Sequence, residues 1–375
     1  MIKGIYLENF KCFSKPGKHL YLSQVNLLTG VNGRGKSSLL QALLLLSQSF
    51  DSENSLTHLK LNGPLLSLGT FKDVFRRNAV GKDGFRINIE TDDLRENKIC
   101  CRFSEYEGKE RLARLSELWV DDHDYFDTPS EADAGKSSNV NSILGVTSSI
   151  AGFQELRRLY YIAANRQGPV NYVEKNDNIG PDDIGTRGEH VINVLSTRGD
   201  EIINKTEKVL SDILSGASVR VPKSEGSIIE LFIDSINNSD GFTPVNVGFG
   251  YSYILPIILI GLLAEDNSII IIENPEAHLH PGAQSRLVNF LVECAVQKHL
   301  QIFVETHSDH IINGLRIAVK NKKIAKTETN IIHFGRGCED DLFQIDQIKI
   351  DSEGNLSKYP DDFMDEWTRQ MAQLI

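Results

Sequence analysis

The sequence predicts an α/β protein organised around a phosphate-binding loop. Residues 30–37 read GVNGRGKS and match the pattern G-x-x-x-x-G-K-[ST] at every fixed position. An apolar strand is expected at 24–29 and a helix at 38–47, which places the glycines at a strand-to-helix turn. A second apolar strand at 268–272 ends at the carboxylate of Glu273 and is typical of a buried parallel sheet.

This turn has the chemistry of a triphosphate site. Glycines let backbone N–H groups surround a polyphosphate, and the start of the following helix adds partial positive charge. Lys36 is expected to reach the β and γ phosphates, and the Ser37 hydroxyl to bind Mg²⁺, so ATP and Mg²⁺ are the expected cofactors. The predicted nucleotide-binding residues are Asn32, Gly33, Arg34, Gly35, Lys36, Ser37 and Ser38.

The composition narrows the class of protein. The chain has 375 residues, 40% hydrophobic and 24% charged, which is typical of a globular protein of one large or two smaller domains. A net charge of −11 argues against bulk electrostatic binding of nucleic acid and leaves only a local basic groove for it. The five cysteines form no C-x-x-C pair, which favours a reducing, cytoplasmic compartment.

No membrane or secretory segment is expected. The first ten residues mix charged and apolar positions and lack the apolar core of a signal peptide. The longest apolar run, 254–264, is much shorter than the roughly 20 residues of a membrane span. We therefore expect a buried helix there and no membrane partner.

The N-terminal strand gives the first family likeness. Residues 2–13 alternate apolar and polar side chains, and 5–13 read IYLENFKCF shortly before the phosphate loop. This opening resembles that of the ABC-type ATPases of the recombination, SMC and overcoming-lysogenization-defect (OLD) group. The resemblance implies that Lys11 lies near the nucleotide, whereas a lysine on an exposed turn is ordinarily just solvated.

A second glycine-rich turn opens a helix near residue 250. The sequence Val-Gly-Phe-Gly-Tyr-Ser at 247–252 resembles a divergent form of the ABC signature motif. The resemblance implies that Gly248, Gly250 and Ser252 of one subunit cap the γ-phosphate held by another, in a head-to-tail dimer. Backbone donors, a hydroxyl and a helix dipole suit that use. The alternative is a buried helix with Ser252 as its N-cap.

The strand ending at Glu273 continues as Asn-Pro-Glu-Ala-His-Leu-His-Pro. The carboxylate of Glu273 matches the Walker B role of holding Mg²⁺. Relatives commonly carry a second acid at the next position, where this chain has Asn274, and an amide cannot take a proton from water. Either hydrolysis is slow or Glu276 supplies the carboxylate. The whole block resembles a bacterial subgroup of ATPases related to the OLD type.

The next expected strand, 300–306, runs into His307. By resemblance, His307 is the switch histidine that contacts the γ-phosphate. The alternative is a transition-metal site, since imidazole is a common ligand. That site would use His278, His280, His307 and His310.

These patterns predict a single ABC-type P-loop ATPase domain over 1–375, with the phosphate-loop and Walker B strands adjacent in a central mixed sheet. The expected parts are a β-rich lobe at 1–120, a mobile insertion at 121–149, a helical signature lobe at 150–265, a Walker B and switch-histidine core at 266–350, and a C-terminal extension at 351–375. Within the signature lobe we expect helices at 186–196 and 201–214, a strand at 227–233 and a turn at 237–241. Only 68 residues of the sequence follow His307 (375 − 307), so we expect little room for the acidic nuclease (Toprim) domain that OLD proteins carry after the ATPase.

The resemblance implies an ATP-gated homodimer or higher oligomer that drives or restrains a partner effector, a nuclease or toxin, in phage defence or DNA processing. Two alternatives stay open. One is an ATP sensor with negligible turnover, which Asn274 favours. The other is a DNA-bridging repair ATPase, for which steeply salt-dependent DNA binding would be diagnostic.

Overall fold

The computed structural model describes residues 1–79, 83–93, 97–121, 123–125, 147, 150–222, 226–234, 241–337 and 343–374. The strands are β1 Ile2–Glu8, β2 Lys18–Tyr21, β3 Val25–Gly30, β4 His58–Lys60, β5 Phe85–Thr91, β6 Lys98–Glu105, β7 Leu112–Val120, β8 His123–Asp124, β9 Leu159–Ile162, β10 Tyr172–Glu174, β11 Ser218–Arg220, β12 Ile228–Glu230, β13 Phe232–Asp234, β14 Ile269–Glu273, β15 Gln301–Glu305, β16 Thr329–Arg336 and β17 Phe343–Ile348. The α-helices are α1 Lys36–Ser49, α2 Phe71–Val74, α3 Ala151–Arg157, α4 Val191–Arg198, α5 Asp200–Leu214, α6 Phe249–Leu263, α7 Pro281–Lys298, α8 Asp309–Lys320 and α9 Glu366–Leu374. None of the helices in these ranges is long and apolar enough to cross a membrane.

A six-stranded sheet carries the phosphate loop. Its strand order is β17-β16-β3-β15-β14-β9. Neighbouring strands run parallel except β17, which pairs antiparallel with β16. The carboxyl ends of β3, β15 and β14 therefore meet at one edge of the sheet, where parallel α/β proteins place their ligands.

The expected adjacency of the phosphate-loop and Walker B strands is wrong, because β15 lies between β3 and β14. The chain passes from β14 through α7 to β15, a parallel crossover that sets β15 beside β14. The other edge of β15 pairs with β3 in a register that joins Ile302 to Val25 and Glu305 to Leu28. The carboxyl end of β15 therefore also lies at the site, between those of β3 and β14.

A seven-stranded antiparallel sheet packs against the first, in the order β2-β1-β5-β6-β7-β4 with β8 on β7. Two apolar clusters cover the two faces of the central sheet. Along β14, Ile269 and Ile271 belong to the cluster shared with the antiparallel sheet, whereas Ile270 and Ile272 belong to the cluster shared with the helices. The alternation follows from the period of two along a strand.

Hydrophobic patterns in the sequence predicted most of these helices and strands. The predicted buried helix is α6, whose residues 254–261 are buried, and the helix expected at 201–214 is α5. The helix expected from 186 begins only at Val191, since Gly188 has a φ of +77°, which a right-handed helix does not accept.

Two further expectations differ or lie elsewhere. The strand expected at 227–233 is divided into β12 and β13, which pair with β10 and β11 respectively. The insertion at 121–149 and the turn at 237–241 lie outside the described residues, apart from 121, 123–125, 147 and 241.

Candidate functional site

The phosphate loop joins β3 to α1, and its glycines are sterically required. Gly30 has a φ of +124°, and a Cβ there would lie 2.2 Å from the carbonyl oxygen of Phe334 on β16. Gly35 has a φ of +115° and caps α1. Both positions therefore disfavour L side chains, and the glycines allow the close turn in which backbone N–H groups can surround a phosphate.

Lys36 turns back into the loop. Its side chain is 3% exposed, and Nζ donates to the carbonyl oxygens of Gly30 at 2.9 Å and Val31 at 3.2 Å. Burial lowers the pKa of Lys36, although the charge of Glu305 opposes the change. The ammonium group is thus held at the mouth of the cradle predicted for the phosphates.

Ser37 donates its hydroxyl to Glu305, a residue that the sequence patterns did not single out. Its Oγ lies 3.0 Å from Oε2 and 3.2 Å from Oε1 of Glu305. Burial and the charge of Glu273 raise the pKa of Glu305, while Lys36 and Ser37 act to lower it. Glu305 could have been recognised from the sequence, because it is an acidic residue at the end of an apolar strand. Glu273 was predicted as a site residue for the same reason.

Glu273 closes β14 directly beside Glu305, since the two residues pair in the parallel ladder. Its Oε2 accepts the backbone N–H of Ala164 at 3.1 Å. It also forms a side-chain hydrogen bond with Tyr161 of β9, and burial together with this carboxylate raises the pKa of the phenol. The side chain of Glu273 is therefore held by Tyr161 of β9 and by the N–H of Ala164, just after that strand. The side chain of Glu305 instead accepts from Ser37.

Asn274 follows in a left-handed conformation with a φ of +45°. Its N–H donates to the carbonyl oxygen of Glu305 at 2.8 Å. The guanidinium of Arg166 donates to the carbonyl oxygens of Glu273 at 2.8 Å and Asn274 at 2.6 Å. Arg166 is 3% exposed, burial lowers its pKa to about 10, and it stacks on the Tyr253 ring at 5.2 Å. Arg166 thus clamps this turn, a role that no sequence pattern indicated.

Glu276 reaches the next strand end. Its Oε1 accepts the backbone N–H of His307 at 2.8 Å, while its Oε2 is buried without a hydrogen-bond partner among the described residues. His307 is exposed, and burial of its ring together with Lys36 lowers its pKa, against the opposing charge of Glu276. The backbone of His307 is thus joined to a carboxylate with one unpaired oxygen, and its ring lies close enough to Lys36 and Glu276 to be affected by both charges.

The glycine-rich turn opens α6 as expected, but Ser252 does not cap it. Gly248 is the N-cap and is exposed, and Phe249 is 52% exposed. A Cβ at Gly250 would lie 2.7 Å from the carbonyl oxygen of His278, so the helix start packs tightly on the turn after β14. The Oγ of Ser252, the fourth residue of α6, is buried and has no hydrogen-bond partner in the described ranges. The accessible donors of this motif are therefore backbone groups at 248–250.

The remaining predicted residues surround the loop. Lys11 is half-buried and donates to Gln41 of α1; burial lowers its pKa, so its ammonium lies against the loop's helix rather than in open solvent. Asn32 is exposed at the loop tip, and Arg34 and Ser38 are half-buried.

The histidine metal site is not formed. Across the described ranges, no group of three or more His, Cys, Asp or Glu side chains is arranged to hold a metal ion. His280 instead caps α7 through the Gly282 N–H, and His278 packs edge-on to Tyr253 at 4.6 Å.

The donor set fits Mg²⁺ shared with phosphates. This hard cation usually takes one or two protein carboxylates and completes its shell with waters and phosphate oxygens. A hydroxyl from Ser37 and oxygens from Glu273 or Glu305 are ligands of that kind.

Solved structures of SMC heads share the fold. The SMC head bound to the C-terminal winged-helix domain of ScpA is 13% identical, with a TM-score of 0.57 over 93% of this chain and 98% of that one. The Smc head domain with an extended coiled coil from Pyrococcus furiosus, bound to the C-terminal domain of ScpA, is 11% identical, with a TM-score of 0.52 over 100% of this chain and 99% of that one. The chain therefore has the α/β P-loop fold of ABC-type ATPase heads.

Family comparisons agree with this fold. No curated protein matches the sequence. A family of unknown function (DUF3696) matches residues 325–374. The family described as "AAA domain, putative AbiEii toxin, Type IV TA system" matches residues 25–313. Most of the chain, including the phosphate loop and the strand ends facing it, thus belongs to this family of AAA ATPase domains.

Proposed function

We propose that the chain hydrolyses Mg·ATP slowly, with Glu276 as the general base, and that ATP joins two copies into a dimer that controls a partner effector. ATP would lie in the loop at 30–37, with Ser37 and Glu273 holding Mg²⁺, whose charge offsets that of the phosphates. His307 would contact the γ-phosphate, and Lys11 would lie near the nucleotide.

The observation that carries the proposal is the geometry of Glu276. Its carboxylate is anchored through Oε1 to the His307 N–H, and Oε2, which is buried without a partner among the described residues, would accept the proton of a water that enters the site with ATP. Asn274 cannot take that role, because an amide is not a base and because Arg166 and Glu305 fix its backbone. Slow turnover follows from using a carboxylate two residues beyond the usual position.

The proposed dimer and the proposed partner effector are supported by different observations. Exposed Gly248 and the start of α6 offer backbone donors and a helix dipole to the phosphates of a second copy. The SMC head structures carry a bound ScpA domain, and the family description names a toxin. By this likeness the effector is a nuclease or toxin in bacterial phage defence or DNA processing, in the cytoplasm. We further propose that the chain belongs to the OLD-related subgroup, because its Glu-Asn-Pro-Glu-Ala-His-Leu-His-Pro block resembles the block of that subgroup.

Replacing Glu276 with Gln tests the base. We expect Glu276→Gln to reduce kcat about 100-fold or more while the Kd for ATP changes little, since the amide keeps the contact with His307 but cannot take a proton. Phosphate release and equilibrium ATP binding measure the two quantities. Glu293→Gln, at a 52% exposed side chain on α7, is the matched control.

The outcomes separate the candidate functions. Unchanged turnover in Glu276→Gln would mean that the base lies elsewhere. Turnover of the unmodified chain no higher than that of Lys36→Ala, with ATP binding intact, would identify a sensor. ATP-dependent bridging of duplex DNA that weakens steeply with salt would identify a repair ATPase.

A further inference from the structure

The Glu305 carboxylate occupies the position where the metal-bearing end of a triphosphate would bind. It accepts the Ser37 hydroxyl at 3.0 and 3.2 Å, and its Oε1 lies 3.9 Å from the Lys36 ammonium. The residue is 8% exposed, so solvent screens its charge only weakly. Lys36 and Ser37 are the two loop residues whose side chains are predicted to contact the phosphates and the cation.

Other charges near this carboxylate are mostly negative. Glu273 is its ladder partner, and the charges of Glu273 and Glu276 both act on Glu305. Lys36 is the cation that opposes them here. The guanidinium of Arg166 also carries a positive charge, but two of its N–H groups are committed to the carbonyl oxygens of 273 and 274. The cradle therefore combines donors for an anion with a carboxylate that repels it.

A divalent cation resolves this conflict. A hydroxyl has one proton and two lone pairs, so Ser37 can keep its proton on Glu305 while a lone pair binds the cation. Without a cation, a phosphate bound to Lys36 and Ser37 lies close to a buried like charge. With a cation, the same carboxylate attracts the complex directly or through a water ligand.

We propose that Glu305 makes nucleotide binding depend on magnesium: its carboxylate opposes metal-free ATP and favours Mg·ATP. This inference rests on the proposed binding of ATP in the loop at 30–37. It adds Glu305 to Ser37 and Glu273, the two residues that the sequence patterns predict to hold the cation.

The unmodified chain gives a first test. We expect a non-hydrolysable ATP analogue to bind about tenfold or more tightly in magnesium than in EDTA, measured by equilibrium titration. Equal affinity in the two buffers would overturn the inference without any variant. An absence of binding in both buffers would instead overturn the proposed function.

The Glu305→Gln variant should change the affinity for ATP in opposite directions in the two buffers. It keeps the shape of the side chain and an acceptor for Ser37 but removes the charge. We expect its affinity to rise about tenfold in EDTA and to fall about tenfold in magnesium. Glu305→Asp, which keeps the charge, should retain the preference for magnesium, and Glu293→Gln should match the unmodified chain. A folded Glu305→Gln protein with the unmodified ratio of affinities would overturn the inference.

Discussion

Arg166 shows how one buried side chain can set the geometry of a site that it need not touch. Its two hydrogen bonds end on the carbonyl oxygens of Glu273 and Asn274, and its planar face lies on the Tyr253 ring. Asn274 holds a left-handed backbone conformation, which is uncommon for a residue with a side chain. Arg166 is therefore a positioning residue that joins α6 to the turn carrying Glu276.

Truncating Arg166 should affect catalysis more than nucleotide binding. We expect Arg166→Ala to reduce kcat about 10- to 100-fold with the KM for ATP within about threefold, because Glu276 loses its fixed position while the phosphate loop is unchanged. Arg166→Lys should behave similarly, since one ammonium group cannot reproduce the forked contact. Steady-state kinetics on proteins of matched urea stability measures the effect.

Arg158, just before β9, provides the control for this comparison. It is exposed and pairs with Glu265 on the surface, so Arg158→Ala should leave kcat unchanged. Normal kcat in a folded Arg166→Ala protein would show that the turn keeps its shape without the clamp. Normal kcat in Arg166→Lys alone would show that the charge matters and the fork does not.

The residues found from sequence share one property: each lies in a contiguous motif. Lys36, Ser37 and Glu276 follow from spacing along the chain, because the phosphate loop and the turn after β14 are local structures. Glu305 and Arg166 act through partners more than 100 positions away, such as Ser37 and Asn274. Such contacts depend on strand order, which local patterns do not encode.

At the scale of elements, the tight contact is between the start of α6 and the turn after β14. Phe249 and Tyr253 both pack on the His278 ring, at 5.5 and 4.6 Å between centroids, and Gly250 lies against the His278 backbone. A movement of α6 would therefore displace the turn that carries Glu276. The sequence predicted both elements but not their contact, since Gly250 and His278 are 28 positions apart in the chain, with most of α6 and all of β14 between them.

Gly250→Ala tests this contact by the sign of its effect. Helix propensity alone predicts a gain of up to about 1 kcal/mol in the free energy of unfolding. The close approach to the His278 carbonyl predicts a loss of about 1–3 kcal/mol. We expect the loss, measured by urea denaturation.

Gly168→Ala is the matched control, because its Cβ would meet Phe249 at an ordinary 3.7 Å. It should change the free energy of unfolding by no more than about 0.5 kcal/mol. A stabilised Gly250→Ala protein would mean that α6 and the turn separate easily.

At the scale of the whole molecule, the proposed dimer requires two surfaces of one chain to complete each other. Gly248 tests it well, because nothing lies within 4 Å of a Cβ there and its φ of −62° suits any residue. Asp is a favourable N-cap, so Gly248→Asp should fold normally while setting a negative charge against the phosphates of the second copy. Gly248→Asn caps equally well without the charge.

We expect Gly248→Asp to bind ATP but to lose ATP-dependent dimerisation and turnover, and Gly248→Asn to keep both. Mixing Gly248→Asp with Lys36→Ala should restore turnover that neither variant has alone, because one composite site in the mixed dimer is intact. Light scattering and phosphate release measure the two effects. Full activity of Gly248→Asp would exclude this surface from the nucleotide site.

The position of β3 has a consequence for how the protein is made. Its two neighbours in the sheet are β15 and β16, which end at Glu305 and Arg336. The ribosome therefore releases the GVNGRGKS segment first, and the strands that fix it follow much later: Glu305 and Arg336 come 268 and 299 positions after Ser37. A nascent chain that stops before these strands carries the nucleotide motif without a pocket, so ATP cannot stabilise it until β15 and β16 have been translated.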